Sequence, residues 1–412
     1  MSVPRPIVDA SALSNVRDIV RAAGDHDLDR LQRLLDSSHF EGCKPVDVQE
    51  PEHGYTPLHA AIASCRSDGA TDGILEDNES KAYETVKLLF ENGAIWNQLD
   101  RNDETPGCIA HRLGLISLYQ LMVDAGVRAE LLLNRLDGYE ELEDLDDEDE
   151  DDAAEPDSHD ESDTEAPELV VTTAEGETSS VQQGLLEAST EDVDSKAYLS
   201  SALSFDDEML LDESQNGVMM KWESDIMARS ADLLLSRPGL KILNIGFGMG
   251  IIDTHIQSHM NKPAEHHTVE AHPDVLRDLK SKGWQDKPNV FIHEGKWQDV
   301  LPELVAEGQT FDAIYYDTFA ESYHDFKEFF SEQLIGLLDQ GGNWSYFNGM
   351  GADRQISYDV YQKIVEIDLM EAGFDVEWTD FDLPNLGAAW TGVKRKYWNV
   401  EQYRLPVCKF MD

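Results

Sequence analysis

A long acidic stretch divides this chain and limits how it can fold. Between Arg135 and Lys196 there is no lysine or arginine, and 18 of the 29 residues from Glu140 to Glu168 are Asp or Glu. Such a segment repels itself and buries too little apolar surface to fold. The sequence therefore predicts folded units at residues 1–138 and 196–412, joined by an acidic disordered linker, residues 139–195, across which we expect few contacts.

The formal net charge of −51 limits the partners of the chain. So acidic a surface repels nucleic acid and anionic lipid and attracts basic proteins. The linker is then either a solvated spacer or an electrostatic lure for a basic protein substrate. No apolar run approaches the roughly 20 residues of a membrane span. Four scattered cysteines without a CxxC pair fit a reducing compartment, not a disulfide framework or a zinc cluster.

A repeated motif precedes the acidic stretch. "GYTPLHAAIA" (Gly54–Ala63) carries a T-P-L-H-x-A pattern, and "ETPGCIAHRLG" (Glu104–Gly114) repeats its Thr-Pro. The two threonines are 49 residues apart (105 − 56), which is a 33-residue ankyrin period plus a 16-residue insertion. The segment "VRAAGDHDLDRLQRLLD" reads as a degenerate capping repeat. These patterns resemble a short all-α ankyrin-type array, in which we expect His59 to be structural.

After the acidic stretch, strands and helices alternate. The predicted strands are "KILNIGF", "HHTVEA", "VFIHEG", "FDAIYYD", "NWSYFN" and "DVEWTDF", with helices predicted at 251–261, 273–282, 297–306, 325–339 and 355–372. Alternation of this kind indicates parallel βαβ units in a doubly wound, Rossmann-like α/β sheet. A ligand is expected at the carboxyl ends of its strands.

The first strand ends in glycines at 246, 248 and 250. Ile251 stands where a dinucleotide-binding G-x-G-x-x-G would need its third glycine, and there is no P-loop. The spacing suits the turn of S-adenosylmethionine-dependent methyltransferases. Glu270, 20 residues after Gly250, can accept hydrogen bonds from both ribose hydroxyls, unless it is only a surface carboxylate. Asp317 follows the fourth strand and is either a ligand group near the transferring methyl or a helix N-cap.

Several motifs resemble the guanidinoacetate methyltransferase family, and within it the fungal protein arginine N5-methyltransferases, which add an ankyrin-like region. The resemblance covers about half of the chain. It depends on the motifs themselves, because charge and residue spacing alone would not identify the family. It is carried by "GVMMKWESDIM" (217–227), "NIGFGMGI" (244–251), "TVEAHPDV" (268–275), "EGKWQDV" (294–300), "YYDTFAESYHDF" (315–326) and "GGNWSYFN" (341–348).

The resemblance implies a set of cofactor-binding residues for S-adenosyl-L-methionine. Residues 247–252 would wrap the methionine end, residues 270–272 would hold the ribose and flank the adenine, and the pair at 297–298 would pack on or bond the adenine. The set is Tyr198, Met219, Met227, Gly246, Phe247, Gly248, Met249, Gly250, Ile251, Ile252, Glu270, Ala271, His272, Trp297, Gln298 and Asp317. Asn244 departs from the pattern, since most methyltransferases have an acid at this turn.

The resemblance also implies that Glu223 and Asp317 grip the substrate guanidino group. A guanidinium is hardly ever deprotonated in water, and two carboxylates can bind its fork and direct one nitrogen at the methyl. One of them then accepts the proton as the bond forms. Transfer to the internal nitrogen, the N5 product, is an expectation from the resemblance alone.

Two alternatives remain at this point. Histidines at 255, 259, 266 and 267 could form a metal site, but without an HExxH pattern we predict none. The chain could also be a catalytically inactive scaffold for a basic partner, or it could methylate a small guanidino compound. The resemblance favours a protein arginine methyltransferase that is monomeric, located in cytoplasm and nucleus, and directed at a basic protein, with ribosomal proteins as candidates.

Overall fold

A computed structural model describes residues 10–65, 72–136 and 195–411. The predicted acidic linker lies outside these residues, apart from Ser195. In the part that the structure describes, no helix combines the length and the apolar character needed to cross a membrane.

The N-terminal unit is helical. Its helices are α1 (Ala10–Gly24), α2 (Leu28–Ser37), α3 (Pro57–Ala63), α4 (Asp72–Glu91), α5 (Pro106–Arg112) and α6 (Ile116–Leu136). The cores of α1 to α6 join in one apolar cluster. Within the described residues of this unit the secondary structure is α-helix, one 3-10 turn and an isolated bridge, as an all-α unit requires.

Helices α3 and α5 begin in the same way, as the repeated Thr-Pro motif predicts. Thr56 (φ −80°, ψ 169°) and Thr105 (φ −83°, ψ 164°) are N-caps whose side chains accept from the backbone N–H three residues later, with proline in the first turn. His59 is buried, and its ring bonds the Thr56 N–H (3.1 Å) and the Glu104 carbonyl oxygen (3.1 Å). It therefore has the structural role that the sequence suggested. The ankyrin assignment itself stays a prediction.

The C-terminal unit starts with α7 (Ser195–Ser200) and a small antiparallel sheet of β1 (Ser204–Phe205), β2 (Met209–Leu211) and β3 (Gly217–Met220). Helix α8 (Ser224–Leu234) leads into the main sheet. The remaining helices are α9 (Ile251–Ser258), α10 (Pro273–Ser281), α11 (Trp297–Ala306), α12 (Tyr323–Glu328), α13 (Leu334–Leu337) and α14 (Gln355–Glu371), with a π-helical turn, Phe329–Gln333, between α12 and α13.

The main sheet has seven strands in the order β6-β5-β4-β7-β8-β10-β9. They are β4 (Lys241–Ile245), β5 (Glu265–Glu270), β6 (Val290–Glu294), β7 (Phe311–Tyr316), β8 (Leu338–Tyr346), β9 (Phe374–Asp382) and β10 (Gln402–Phe410). The first five strands in this order pair in parallel, and β10 is antiparallel to both neighbours. The predicted doubly wound, Rossmann-like sheet is confirmed, with strand order reversing beside β4.

The six predicted strands are all present, but the sequence did not indicate β10. Pro406 lies inside β10, opposite Trp378 of β9. Proline is rarely found within a central strand because it has no N–H for the ladder. The predicted alternation of strands and helices therefore missed the strand that separates β8 from β9.

Helix α14 belongs to the cores of both units. Its residues Ile356, Val360 and Ile364 are at most 1% exposed and pack into the apolar cluster of the N-terminal helices. A Cβ on Gly107 of α5 would lie 2.4 Å from Ile356 Cδ1, and one on Gly126 of α6 would lie 2.7 Å from Val360 Cγ2. We call this contact of α14 with α5 and α6 the α14 seam.

Polar contacts border the α14 seam. Tyr119 donates its hydroxyl hydrogen to Asp359 Oδ2 (2.5 Å), and Lys363 Nζ lies 3.0 Å from Asp124 Oδ1. The expectation of few contacts between the units is therefore wrong. The chain crosses between units through the acidic stretch, but the units meet through a packed helix far from that stretch in sequence, which composition could not reveal.

Candidate functional site

A cavity opens at the carboxyl ends of β4, β5 and β7, where the strand order reverses. It encloses about 690 Å³, a figure that includes its open mouth. We call it the cofactor cavity. Nine of the predicted residues line it, namely Tyr198, Met219, Gly246, Gly248, Glu270, Ala271, Trp297, Gln298 and Asp317. Sequence reasoning missed other lining residues, among them Val218, Lys296, Thr318, Phe319 and Glu321.

The other predicted residues do not line the cavity. Phe247 is buried against Trp284, with ring centroids 5.4 Å apart, and Met227 is in the core under β4. Glu223 is 2% exposed and lies next to the cavity, without contributing to its wall. The remaining predicted residues that do not line the cavity are Met249, Gly250, Ile251, Ile252 and His272.

The turn after β4 must pass close to the end of β7. Gly246 has φ +92°, and a Cβ there would lie 1.9 Å from the backbone oxygen of Asp317. The Asp317 N–H in turn donates to the Ile245 carbonyl oxygen (2.9 Å). Glycine at 246 is therefore required by the neighbouring strand end, in addition to any ligand.

Glu270 connects the ends of β4 and β5. Its Oε2 accepts from the N–H groups of Phe247 (2.9 Å) and Gly248 (3.4 Å), and its Oε1 accepts from the His272 N–H (2.6 Å). Burial raises the pKa of this carboxyl, and the backbone donors oppose the rise. Glu270 therefore holds the glycine turn in place as well as lining the cofactor cavity, a second role that its sequence position did not reveal.

Glu321 organises the opposite wall of the cavity. It accepts hydrogen bonds from Trp297 Nε1 (2.8 Å), Tyr316 Oη (2.5 Å) and Thr318 Oγ1 (2.5 Å). Burial raises the pKa of Glu321, and these donors oppose the rise. The indole N–H of Trp297 is thereby used within the protein, which leaves packing of the ring as the role we expect for it. Glu321 belongs to a quoted motif, but nothing in the sequence separated it from a surface acid.

Other groups in the cavity fit a nucleoside-bearing cofactor. Tyr198 packs its ring against His272 (4.8 Å) and Phe319 (4.9 Å), so α7 forms part of the wall. Gln298 Oε1 is buried and has no hydrogen-bond partner among the described residues. A polar atom in that state needs a donor, which an exocyclic amine of a purine can supply. Together with the Glu270 carboxylate, these residues fit S-adenosylmethionine.

Glu223 and Asp317 form a buried carboxylate pair beside the cavity. Glu223 Oε1 accepts from the Met220 N–H (2.8 Å) and from the hydroxyl of Tyr397. Asp317 Oδ2 is buried, and no described residue donates to it. Burial raises the pKa of Glu223 to about 7, against the effect of its two donors. Burial, and then the charge of Glu223, raise the pKa of Asp317 well above its usual range.

The buried pair is what a guanidinium would satisfy. Burial raises the pKa of both carboxyls, and the charge of Glu223 raises that of Asp317 further, so a nearby cation favours ionisation of both. A planar guanidinium offers five N–H donors and a positive charge to such a pair. The structure therefore brings together the two residues that the resemblance assigned to the substrate.

The histidines considered as metal ligands have separate partners. His255 Nε2 lies 2.9 Å from Ser224 Oγ, His259 pairs with Asp232, and His266 pairs with Asp253. His267 lies between Glu265 and His293, with its pKa lowered by burial to about 4. They occupy different places around β5 and α9, and no common centre joins them.

Comparisons with known proteins agree on one family. The model of the guanidinoacetate N-methyltransferase family matches residues 188–402. A protein of Aspergillus fumigatus named "Protein arginine N-methyltransferase 2" is 58% identical over 418 residues, covering 96% of each chain. The Aspergillus oryzae protein of that name is 56% identical over 99% of each chain.

Solved structures show only a distant likeness. Aeropyrum pernix fibrillarin, solved with bound S-adenosyl-L-methionine, is 16% identical to this chain, with a TM-score of 0.33. The match covers 51% of this chain and 83% of that one. At so low a score the likeness supports no conclusion about the site.

Proposed function

The chain belongs to the guanidinoacetate N-methyltransferase family and is an S-adenosylmethionine-dependent methyltransferase, and from that premise we propose that it methylates the internal, N5 nitrogen of arginine in a protein. The names of its relatives support arginine as the methylated residue. The observation that carries the proposal is the buried pair of Glu223 and Asp317 at the edge of the cofactor cavity.

The cofactor supplies a methyl group on a cationic sulfur, and this chain's residues place it. Glu270 would accept from the ribose hydroxyls while its backbone bonds keep the glycine turn closed. Gln298 would accept from the adenine, and the ring of Trp297 would pack beside it. Tyr198 covers the cavity from α7. Positioning of this kind contributes most of the acceleration in a direct displacement.

The carboxylate pair holds and deprotonates the substrate. The guanidinium of the target arginine binds between Glu223 and Asp317, and its charge lets both ionise. Transfer of the methyl group from the cationic sulfur to the guanidinium would require the attacked nitrogen to lose one proton. Asp317, whose Oδ2 has no donor among the described residues, accepts that proton. Glu223, held by Tyr397 and the Met220 N–H, keeps the guanidinium in orientation.

The nitrogen that receives the methyl decides between reaction products. Transfer to the internal nitrogen gives N5-methylarginine, whereas transfer to a terminal nitrogen gives the ω product. Incubation of the protein with S-adenosylmethionine and a basic protein extract, followed by fragmentation mass spectrometry of the methylated arginines, tests the proposal. Fragments that place the methyl on a terminal nitrogen would overturn the N5 assignment.

We further propose that the N-terminal unit is an ankyrin-type array that presents a basic protein substrate. Support comes from the matching N-caps of α3 and α5 and from the net charge of −51. Ribosomal proteins are basic and fit this description. We place the enzyme in cytoplasm and nucleus as a monomer, in keeping with its scattered cysteines. Size-exclusion chromatography with light scattering tests the oligomeric state.

A further inference from the structure

Asn244 stands at the carboxyl end of β4, where an acid was expected. It is fully buried, and its Nδ2 donates both to the Gly246 carbonyl oxygen (2.8 Å) and to Asp253 Oδ2 (2.9 Å). Gly246 lines the cofactor cavity, and Asp253 lies in the first turn of α9. The amide therefore connects the cavity wall to a carboxylate supplied by another element.

Asp253 is surrounded by donors. It is fully buried and accepts from Asn244 Nδ2 and Thr268 Oγ1 (2.8 Å), and His266 Nε2 lies 3.0 Å from its Oδ1. The other ring nitrogen of His266 lies 3.0 Å from Gln257 Nε2, an amide donor, which leaves the ring proton on Nε2. Three donors match an ionised carboxylate, because that group only accepts hydrogen bonds.

The charge of Asp253 reaches the reacting end of the cavity. After burial and the charge of Glu223, the charge of Asp253 is the next cause that raises the pKa of Asp317. The same negative charge would attract a cation bound beside Asp317. In a buried site that attraction is weakly screened.

We propose that Asp253 supplies, from α9, the negative charge that favours the cationic methionine end of S-adenosylmethionine over the uncharged sulfur of S-adenosylhomocysteine. It acts through Asn244 and the Gly246 carbonyl, so it is a positioning residue and does not touch the ligand. The acid expected at position 244 is thus replaced by an acid nine residues later, with Asn244 as the connecting hydrogen-bond donor. The inference rests on the proposed function for its cofactor alone.

Binding of the two ligands by calorimetry tests this without any turnover. Asp253→Asn should weaken S-adenosylmethionine binding roughly 10-fold more than S-adenosylhomocysteine binding, since only the first ligand carries the positive sulfur. Asp232→Asn, which removes one charge at a side chain that is 71% exposed, should leave the ratio of the two affinities unchanged. The double variant Asn244→Asp with Asp253→Asn returns the charge to the strand end and should restore the ratio.

Each outcome decides the matter. If Asp253→Asn lowers the affinities for both ligands equally, Asp253 has a structural role only. If it lowers neither affinity, Asp253 has no role in binding. Either result overturns the inference. If Asp253→Asn does not fold, Asn244→Leu decides, because it removes the hydrogen-bonded connection between Asp253 and the Gly246 carbonyl, and an unchanged ratio of the two affinities in that variant overturns the inference. If the unmodified protein binds neither ligand, the proposed function itself fails, which is a different result from any of these.

Discussion

The α14 seam and the cofactor cavity are both largely buried, yet their side chains differ in kind. The seam packs Ile356, Val360 and Ile364 into the apolar cluster of the N-terminal helices, with Gly107 against Ile356 and Gly126 against Val360. The cavity region buries carboxylates, with Glu223 only 2% and Glu270 only 8% exposed. Apolar burial stabilises the fold, whereas burial of ionisable groups costs free energy unless they are paired.

The two regions therefore contribute to different properties of the protein: the seam to stability and the cavity to function. The seam contributes free energy of unfolding and holds the N-terminal unit against the catalytic core. The carboxyls of the cavity region have raised pKa values because they are removed from water, and the charge of Glu223 raises that of Asp317 further. Substitutions in the two regions should therefore change different measured quantities.

The largest effect is expected at Asp317. Asp317→Asn keeps the shape of the side chain but removes the charge that pairs with the guanidinium and accepts its proton. Methyl transfer should fall roughly 10²- to 10⁴-fold, the usual size for a positioned general base. Single-turnover transfer to an arginine-containing substrate measures this. Affinity for S-adenosylmethionine should fall far less than methyl transfer, because the acid expected to hold the ribose, Glu270, lies on another strand.

Asp339→Asn is the matched control, since Asp339 is an exposed residue at the start of β8. It should transfer methyl at the normal rate. Near-normal turnover in Asp317→Asn and also in Glu223→Gln would sink the two-carboxylate mechanism.

The next effect is expected at Glu270. Glu270→Ala removes the acceptor for the ribose hydroxyls and also frees the N–H groups of Phe247 and Gly248. Affinity for S-adenosylmethionine, measured by calorimetry, should fall roughly 30- to 1000-fold. Glu270→Gln keeps one acceptor oxygen, so its affinity for S-adenosylmethionine should lie between that of the unmodified protein and that of Glu270→Ala. Unchanged affinity in a folded Glu270→Ala protein would contradict the cofactor assignment.

A smaller effect, on stability, is expected at the α14 seam. Val360 is fully buried against Gly126, so Val360→Ala should lower the free energy of unfolding by roughly 2 kcal/mol, from two lost methyl groups and the space they leave. Denaturant unfolding measures this, and cofactor affinity should not change. Met370→Ala, on the same helix but 57% exposed, is the control and should change stability little.

If Val360→Ala leaves stability unchanged, the seam is not a packed contact and the two units are independent. If it weakens cofactor binding instead, the proposed separation of stability from function is wrong.

The glycine turn and the order of strands and helices were readable from the sequence. Local spacing fixes them, because Gly246 follows an apolar strand and Glu270 ends the next one. The resemblance brought Glu223 to the site, although 94 residues separate it from Asp317 (317 − 223). No local pattern could have paired them.

Other features could not be predicted because they depend on the tertiary fold. Glu321 looks like a surface acid until Trp297, Tyr316 and Thr318 converge on it. The α14 seam depends on residues about 240 positions apart, such as Tyr119 and Asp359. Pro406 made the sequence of β10 unlike that of a central strand, so β10 was not predicted. In each case the partner that gives the residue its meaning is distant in sequence.

The smallest effect is a pH dependence that follows from the buried pair. A cationic guanidinium binds the ionised form of Glu223, whose pKa is raised to about 7 in the free protein. Below that pH the pair must release a proton before binding, so substrate affinity should rise with pH. The titration of Glu223 should give a rise of about 10-fold per pH unit up to about pH 7. The ratio kcat/KM for an arginine substrate, measured at saturating cofactor, reports this titration of the free enzyme.

Stability should change in the opposite direction. A carboxyl whose pKa is raised on folding binds more protons in the native state than in the unfolded state. Its contribution to stability is therefore present below about pH 4.5 and is lost as the pH rises through about 7. Glu223→Gln should flatten both the rise of kcat/KM and this loss of stability, whereas Val360→Ala should shift stability equally at every pH. A Glu223→Gln protein with the same pH profiles as the unmodified one would show that other groups set the titration. It would also contradict our inference that the ionisation of Glu223 lowers stability while it strengthens substrate binding.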